Sequence, residues 1–272
     1  MRFATLRHNG SNAAAVREGD EYSILPYGDV SELLRSGVSL DTLTPIAKVP
    51  VSAADYAPVV TTASKVICLG LNYQDHVAEM GRKSAGVPTL FAKYSETLMG
   101  AFDDLVLPPI SATVDWEVEL GVIIGRKARN VSLEEAESHI AGFTVVNDVS
   151  MRDFQRRTSQ FLQGKMFEAT TPVGPEMVTP DEVDLARDLR VTTELDGEIM
   201  QDSRTSHHIT TVAEAISYIS SIITLQPGDL ILMGTPGGVG DGRDPKVFMK
   251  PGQTLVTRIE GIGEMRNSVI AG

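Results

Sequence analysis

The sequence predicts an α+β fold rich in β-strands. Two observations carry this. Runs of strand character outnumber helical segments along the chain. Strands and helices also fail to alternate in the regular βαβ rhythm of a parallel doubly wound sheet. With 272 residues, 42% of them hydrophobic, the chain can bury a sizeable core, as one large domain or as a small unit beside a larger one.

Residues 1–60 read as a small N-terminal mixed domain. "MRFATLRHNG" and "NAAAVREGDEYSILP" are short strands joined by the turns "HNGSN" and "EGD". "DVSELLRSG" is a short helix with Ser31 as its N-cap, Leu33 and Leu34 on its apolar side and Gly37 as its stop. The stretch "VPVSAADYAPVVTTASK" connects this unit to a second at 61–272, which opens on the apolar strand "VICLGL". "NYQDHVAEMG" follows as a short helix closed by Gly81. Strands are expected at "LFAKY", "WEVELGVIIG", "FTVVNDVS", "RVTTELDGEIM", "DLILMG" and "TLVTRIEGIGEM". Two further helices complete the set. "SLEEAESHIAG" starts at Ser132 with Glu135 at the capping-box position. "TVAEAISYISSIITL" carries a helical stripe of Val212, Ala215, Ile216, Ile219, Ile222 and Ile223.

Composition narrows the function classes. Lys and Arg number 24 against 36 Asp and Glu, for a net charge of −12. A surface of that sign repels nucleic acid and anionic lipid, so neither is expected as a partner. The single cysteine, Cys68, sits in an apolar run and reads as a small core hydrophobe. One thiol makes no internal disulfide, so no oxidising compartment is implied. The N-terminus lacks the apolar core of a signal peptide, and no run approaches the ~18 apolar residues of a membrane span. A cytoplasmic protein is expected. The five histidines show no zinc spacing. "GTPGGVGDGRDPK" lacks the G-K-[ST] ending of a phosphate loop.

The chemistry starts at "DWEVELGVIIG". On a strand, residues i and i+2 share a face, so Glu117 and Glu119 point the same way while Val118, Leu120, Val122 and Ile124 form the core side. Two neighbouring carboxylates repel, and burial raises the pKa of at least one. A cation removes both problems, and all-oxygen ligands favour a hard ion: Mg²⁺, with Mn²⁺ or Ca²⁺ as alternatives. An isolated E-x-E is more often a half-exposed strand with solvent-facing glutamates. A third carboxylate alters that balance. Asp148 supplies it, at the end of the apolar strand in "GFTVVNDVSMRDFQ" and close to Arg152, Asp153 and Gln155.

From about Lys65 to Val269 the chain resembles the fumarylacetoacetate hydrolase family. The resemblance rests on the order and spacing of "LGLNYQDHVAEMG", "LFAKYSETLMG", "DWEVELGVIIGRKARNVS", "VVNDVSMRDFQ", "QGKMFEATTPVGP", "VTTELDGEIMQD" and "PGDLILMGTPGGVG". The likeness is nearest to its acylpyruvase branch, with fumarylpyruvate hydrolases and oxaloacetate decarboxylases. It implies a mixed β-roll catalytic domain, a homodimer and a divalent metal in each subunit. It implies Glu117, Glu119 and Asp148 as metal ligands, His76 and Glu79 as a lid dyad, and Lys165 as the active-site lysine. Lys93, Arg152, Gln155 and Thr235 match substrate-binding positions. Departures stand at Met166 and Glu168, where the family often has Ser and Asp, at Tyr94, where it often has Pro, and at Met233. They spare the metal ligands and bear on the pocket.

The residues make chemical sense beside the resemblance. His76 and Glu79 are three apart on a short helix and share a face. A carboxylate beside an imidazole orients it and raises its basicity, so the pair can take a proton from water. A hard metal suits a small 2-oxo acid as substrate, chelated through its 1-carboxylate and 2-oxo oxygen. With an acylpyruvate such as fumarylpyruvate, from aromatic degradation, water attacks the 4-carbonyl, the C3–C4 bond breaks and pyruvate leaves as an enolate. The metal and Lys165 stabilise the charge developing there. Oxaloacetate decarboxylation passes through the same enolate. The expected activity is acylpyruvate hydrolysis. The alternatives are an oxaloacetate decarboxylase, a 2-hydroxyhepta-2,4-diene-1,7-dioate isomerase/decarboxylase and, against intact His76, Glu79 and Lys165, a non-catalytic 2-oxo-acid-binding protein.

Overall fold

Alternating apolar residues near the N-terminus build an antiparallel meander in the computed structural model of the chain, which describes residues 1–39, 42–79, 81 and 86–272. Its strands are β1 (Arg2–His8), β2 (Ser11–Glu18), β3 (Glu21–Ile24) and β4 (Ala47–Pro50). Asn9 and Gly10, both at positive φ, make the first turn, as an Asn-Gly pair should. Helix α1 (Val30–Ser36) ends at Gly37 in the left-handed conformation, as expected. Its N-cap is Asp29, not Ser31: Asp29 Oδ1 accepts the Glu32 N–H at 2.6 Å, and Oδ2 is held by Thr61 and Thr62. Ser31 lies one residue inside the helix, buried.

The next elements are β5 (Val66–Gly70), α2 (Gln74–Glu79), β6 (Thr89–Lys93), β7 (Leu98–Met99), β8 (Leu105–Leu107), β9 (Val114–Asp115) and β10 (Val118–Ile124). Gly81 takes positive φ after α2, as the sequence suggests; Met80, in the same motif, lies outside the described residues. Then come α3 (Leu133–Ala136), β11 (Ile140–Asn147), β12 (Ser150–Met151), α4 (Arg152–Gln155) and β13 (Thr171–Val178). Ser132 and Glu135 form the expected capping box, but α3 lasts one turn and the chain is in β11 by Ile140. β13 was not foreseen. Pro172 and Pro175 mask its strand character, because proline removes a ladder donor.

The C-terminal part holds β14 (Arg190–Leu195), β15 (Glu198–Arg204), α5 (Val212–Ile222), β16 (Leu230–Leu232), β17 (Thr254–Ile259) and β18 (Gly263–Ala271). Two stretches expected as single strands are hairpins. Asp196-Gly197, both at positive φ, folds β14 onto β15, and the turn around Gly261 folds β17 onto β18. Thr211 and Glu214 cap α5, and its buried side is Ala215, Ile216 and Ile219. Ile222 and Ile223 fall off the expected stripe and are exposed.

The β-rich α+β architecture is therefore present. One eleven-stranded sheet runs β4-β3-β2-β1-β13-β11-β10-β16-β5-β6, with β7 paired to β13. A five-stranded sheet runs β15-β14-β17-β18-β8, and β9 pairs with β12. Strand β10 is buried on both faces. Val118, Leu120, Val122 and Ile124 enter a core with Ile216, Ile219 and Met265, while Ile123 packs with Val146, Leu230 and Leu232 on the other side. Burying a side chain of this size fully stabilises the fold by roughly 1.5–3 kcal/mol. A third cluster closes round Trp116, fully buried between β9 and β10. Cys68 is buried in β5 among core side chains, and burial pushes its thiol well above the usual range, as befits a core residue. Among the described residues no helix is long and apolar enough to cross a membrane.

Gly121 marks how tightly β10 is held. A methyl group there would meet Val146 Cγ2 at 2.7 Å and Thr144 Cγ2 at 2.8 Å on β11. Gly121→Ala should lower unfolding stability by roughly 1–3 kcal/mol, the usual cost of overpacking. A urea titration with an unchanged midpoint would contradict this.

Candidate metal centre and active site

The ladder between β10 and β11 sets the site. Val118 lies opposite Asn147, so the chain just before β10 faces the chain just after β11. Two bonds lock that crossing: the Glu117 carbonyl accepts from the Asp148 N–H at 2.8 Å, and the Glu117 N–H donates to Asn147 Oδ1 at 2.9 Å. Asn147 is held in turn by Thr257. Glu117, Glu119 and Asp148, all buried, each place a carboxylate oxygen within 4.8 Å of the others. The three residues named from the sequence as ligands thus meet at one point.

Cations surround them. Lys165 Nζ bridges Glu117 Oε2 at 2.6 Å and Asp148 Oδ2 at 2.7 Å. Lys93 Nζ donates to Asp148 Oδ1 at 2.5 Å. Arg152 reaches Glu117 Oε1 at 2.7 Å through Nη1, Asp115 Oδ2 at 2.8 Å through Nε, and Gln155 Oε1 at 3.0 Å through Nη1. Its Nη2 is buried with no hydrogen-bond partner. Gly164 lets the turn carrying Lys165 lie against α4, since a Cβ there would meet the Gln155 N at 2.5 Å.

His76 and Glu79 behave as α2 spacing requires: Nδ1 of the ring lies 3.3 Å from Glu79 Oε2. The Gly238 N–H donates to Glu79 Oε1 at 3.0 Å, which ties α2 to the loop after β16. In the same loop Thr235 Oγ1 accepts from Gln201 Nε2 at 2.8 Å, and the Gly234 N–H donates to Glu119 Oε2 at 2.6 Å. His76, Glu117, Glu119, Arg152, Gln155, Lys165 and Thr235 line one cavity of about 510 Å³. Lys93 stands behind it, on Asp148. A larger cavity of about 810 Å³ adjoins at Leu69–Leu71 and Thr89 but contains none of the three carboxylates.

Three supporting residues were not read from the sequence. Asp115 is fully buried and anchors Arg152 while accepting from the N–H groups of Gly240 and Asp241. It stands two residues before Glu117, so the i, i+2 spacing was a signal available for it. Gln201 joins the Val118 N–H, Thr193, Thr235 and the Pro236 carbonyl, and no local pattern marks it. Asn147 is hidden in the same way, as a polar residue inside an apolar strand.

Electrostatics separates the two glutamates. Burial alone would raise Glu117, but Lys165 and Arg152 overcome it and hold the carboxyl down at about 2. Burial, then Asp148 and Glu117, push Glu119 well above the usual carboxylate range. Lys165 is held above its ordinary value because Asp148 and Glu117 outweigh its burial. Glu119 is thus the charge that lacks a counter-ion. A hard cation fits: the donors are all carboxylate oxygens, and each carboxylate has about four lone-pair sites, so the ammonium contacts leave room for a metal bond.

Residues 65–270 match the family described as fumarylacetoacetate (FAA) hydrolase, C-terminal. The chain belongs to this family. It is 41% identical over 229 residues to the Bos taurus protein named "Oxaloacetate tautomerase FAHD2A, mitochondrial", covering 84% of this chain and 73% of that one. It is 38% identical over 273 residues to 2,4-didehydro-3-deoxy-L-rhamnonate hydrolase from Sphingomonas sp. (strain SKA58), covering 99% and 96%. Among solved structures, fumarylpyruvate hydrolase from Pseudomonas aeruginosa, in complex with Mn²⁺ and pyruvate, superposes with a TM-score of 0.70 at 30% identity, over 77% of this chain and 91% of that one. The family places the chain among enzymes, and the acidic triad gives this fumarylacetoacetate hydrolase relative a candidate metal site.

Metal uptake should be linked to protons. Above the ordinary glutamate value of 4.5, metal-free protein still holds the Glu119 proton in the folded state and loses it when unfolded. Metal-free stability should therefore fall as pH rises from that value towards the raised one. Glu117 acts in a lower window, where its contribution is lost as pH falls from the ordinary range towards about 2. Denaturant midpoints should decline with rising pH without metal and recover with Mg²⁺ or Mn²⁺, and calorimetry in buffers of different ionisation enthalpy should detect proton release. Metal uptake that releases no proton would count against a protonated Glu119.

Proposed function

We propose that the chain is a divalent-metal-dependent hydrolase of carbon–carbon bonds that cleaves an acylpyruvate, such as fumarylpyruvate, to pyruvate and a carboxylic acid. One observation carries this reading: the carboxylate triad, Lys165 and the His76–Glu79 pair meet on a single cavity. Glu117, Glu119 and Asp148 would hold the ion, with Mg²⁺ preferred and Mn²⁺ or Ca²⁺ as alternatives. When bound, that ion supplies Lewis-acid polarisation of the 2-oxo acid head.

The chain's own residues do the rest. Arg152 Nη2, buried without a partner, and Gln155 receive the head of the substrate, and the Thr235 hydroxyl accepts or donates to its carboxylate. With Nδ1 committed to Glu79, His76 Nε2 is the nitrogen left to take a proton from water. The resulting hydroxide adds to the 4-carbonyl. The C3–C4 bond then breaks, and its electron pair goes to the pyruvate enolate. The Lys165 ammonium stabilises the enolate oxygen. Histidinium returns the proton to C3, which completes pyruvate and frees the carboxylic acid.

A second reading is favoured by the name of the bovine relative, an oxaloacetate tautomerase. Tautomerisation or decarboxylation of oxaloacetate, and the isomerase/decarboxylase chemistry of 2-hydroxyhepta-2,4-diene-1,7-dioate, all pass through the same enol or enolate of a 2-oxo acid. Such reactions need the same head site and Lys165. We carry a cytoplasmic homodimer with this proposal. Light scattering at micromolar concentration should give twice the chain mass of 29.3 kDa, and a monomer would contradict the dimer.

Chelation with EDTA should abolish turnover, and Mg²⁺ or Mn²⁺ should restore it. His76→Ala should reduce acylpyruvate hydrolysis about 10²–10⁴-fold, the usual weight of a general base. Any oxaloacetate decarboxylation should fall less, because the triad and Lys165 remain. Glu79→Gln should act in the same direction, more weakly. Equal losses in both activities, with metal still bound, would show that His76 is not chiefly the base that activates water.

A further inference from the structure

The cavity continues past the metal end to a second cationic group that the reaction just described does not use. Arg156 follows α4 directly, and its backbone N–H donates to the Arg152 carbonyl at 3.2 Å, so its Cα is fixed relative to the head of the site. Its side chain lines the same cavity as Glu117 and Lys165, together with the hydroxyl residues Thr158 and Ser159. The guanidinium is half-exposed and ion-paired with the buried Asp241.

Asp241 does not depend on that pair. Lys246 Nζ donates to its Oδ1 at 2.8 Å. Two cations therefore stand over one carboxylate, and the group has a positive charge in excess. If Arg156 turns to a ligand, Asp241 keeps an ammonium, so the turn leaves no buried charge alone. At the other end of the cavity the cations are already engaged. Lys165 is held between Glu117 and Asp148, Lys93 by Asp148, and Arg152 by Asp115 and Glu117. Phe91 and Phe161 also line this cavity, in an edge-to-face pair with centroids 5.9 Å apart, and give it an apolar wall.

We propose that Arg156 is the recognition site for a second carboxylate, at the far end of the substrate. The favoured substrate is then a dicarboxylate: a 2-oxo acid head, a middle section that lies on Phe91 and Phe161, and a terminal carboxylate that takes Arg156 from Asp241. Arg156 is a specificity-determining residue, not a catalytic one. The proposal rests on the head-group reading above, and the test keeps the two apart because it measures binding without turnover.

The Mg²⁺-loaded full-length protein should be titrated by calorimetry with dicarboxylic 2-oxo acids of five, six and seven carbons, and with the monocarboxylic 2-oxo acids of the same lengths. At one length at least, the dicarboxylate should bind about tenfold tighter or more, the worth of one charge-assisted hydrogen-bonded pair. Arg156→Gln should bring that ratio to near parity, and Arg156→Lys should retain part of it, with Mg²⁺ affinity and thermal midpoint as controls on folding. A ratio near one at every length, or a ratio that survives Arg156→Gln, overturns the tail site. Binding of neither series overturns the head-group reading and this one with it. Retained preference alongside absent fumarylpyruvate turnover supports the tail site and removes only the hydrolase reading.

Discussion

Three carboxylates buried within 4.8 Å of one another govern the rest of this molecule. Each ion would be costly to desolvate alone, and their mutual repulsion adds to that cost. The chain answers with cations from separate elements: Lys93 from β6, Lys165 from the turn after α4, and Arg152 from α4 itself. These contacts satisfy Glu117 and Asp148 but not Glu119, whose nearest hydrogen-bond donor is the Gly234 N–H. The protein thus builds a site that is nearly balanced and lacks one divalent charge. That imbalance is what makes the pocket a metal site rather than a structural salt-bridge cluster.

The fold exists to keep that cluster in register. Glu117 and Asp148 face one another because β10 and β11 pair antiparallel and end together. A one-residue slip would carry Glu119 from the cavity to the core side, where Val118 and Leu120 now pack. The tight fit of Gly121 against Thr144 and Val146 opposes such a slip. The loop after β16 then serves three roles within a few residues: Gly234 on Glu119, Thr235 in the cavity and Gly238 on Glu79. Glu79 is held between that loop and His76, so the orientation of the imidazole is tied to the metal end through backbone bonds.

The sequence made legible whatever is written in local spacing. Glu117 and Glu119 are two apart on an extended segment, and His76 and Glu79 are three apart on a helix; both pairs meet as that geometry requires. Asp148, Lys165, Lys93 and Thr235 came together only through the order of motifs along the family resemblance, since no spacing rule links residues so distant in the chain. Asp115 and Gln201 escaped because their work is to hold other side chains, and such roles depend on tertiary pairing. The strand-level misses have the same origin. "RVTTELDGEIM" reads as one apolar-alternating run until Asp196-Gly197 is taken as a turn. β13 is strand-like only in context, where β1 and β11 flank it and offset the missing proline donors.

One consequence concerns where selectivity can reside. Acyl cleavage, decarboxylation and tautomerisation of 2-oxo acids share one head group and one enolate, so a triad with Lys165 serves all of them alike. At that end nearly every polar atom is engaged by another residue of the site, which leaves little freedom to distinguish one 2-oxo acid from another. The departures from the family pattern lie elsewhere: Tyr94 and Met166 are exposed, outside the ring of ligands. The opposite end of the cavity has what the head lacks, an apolar wall in Phe91 and Phe161 and a cation, Arg156, whose partner is doubly countered. A substrate is accepted for its chemistry at the carboxylate triad and selected by its length and charge at the far end.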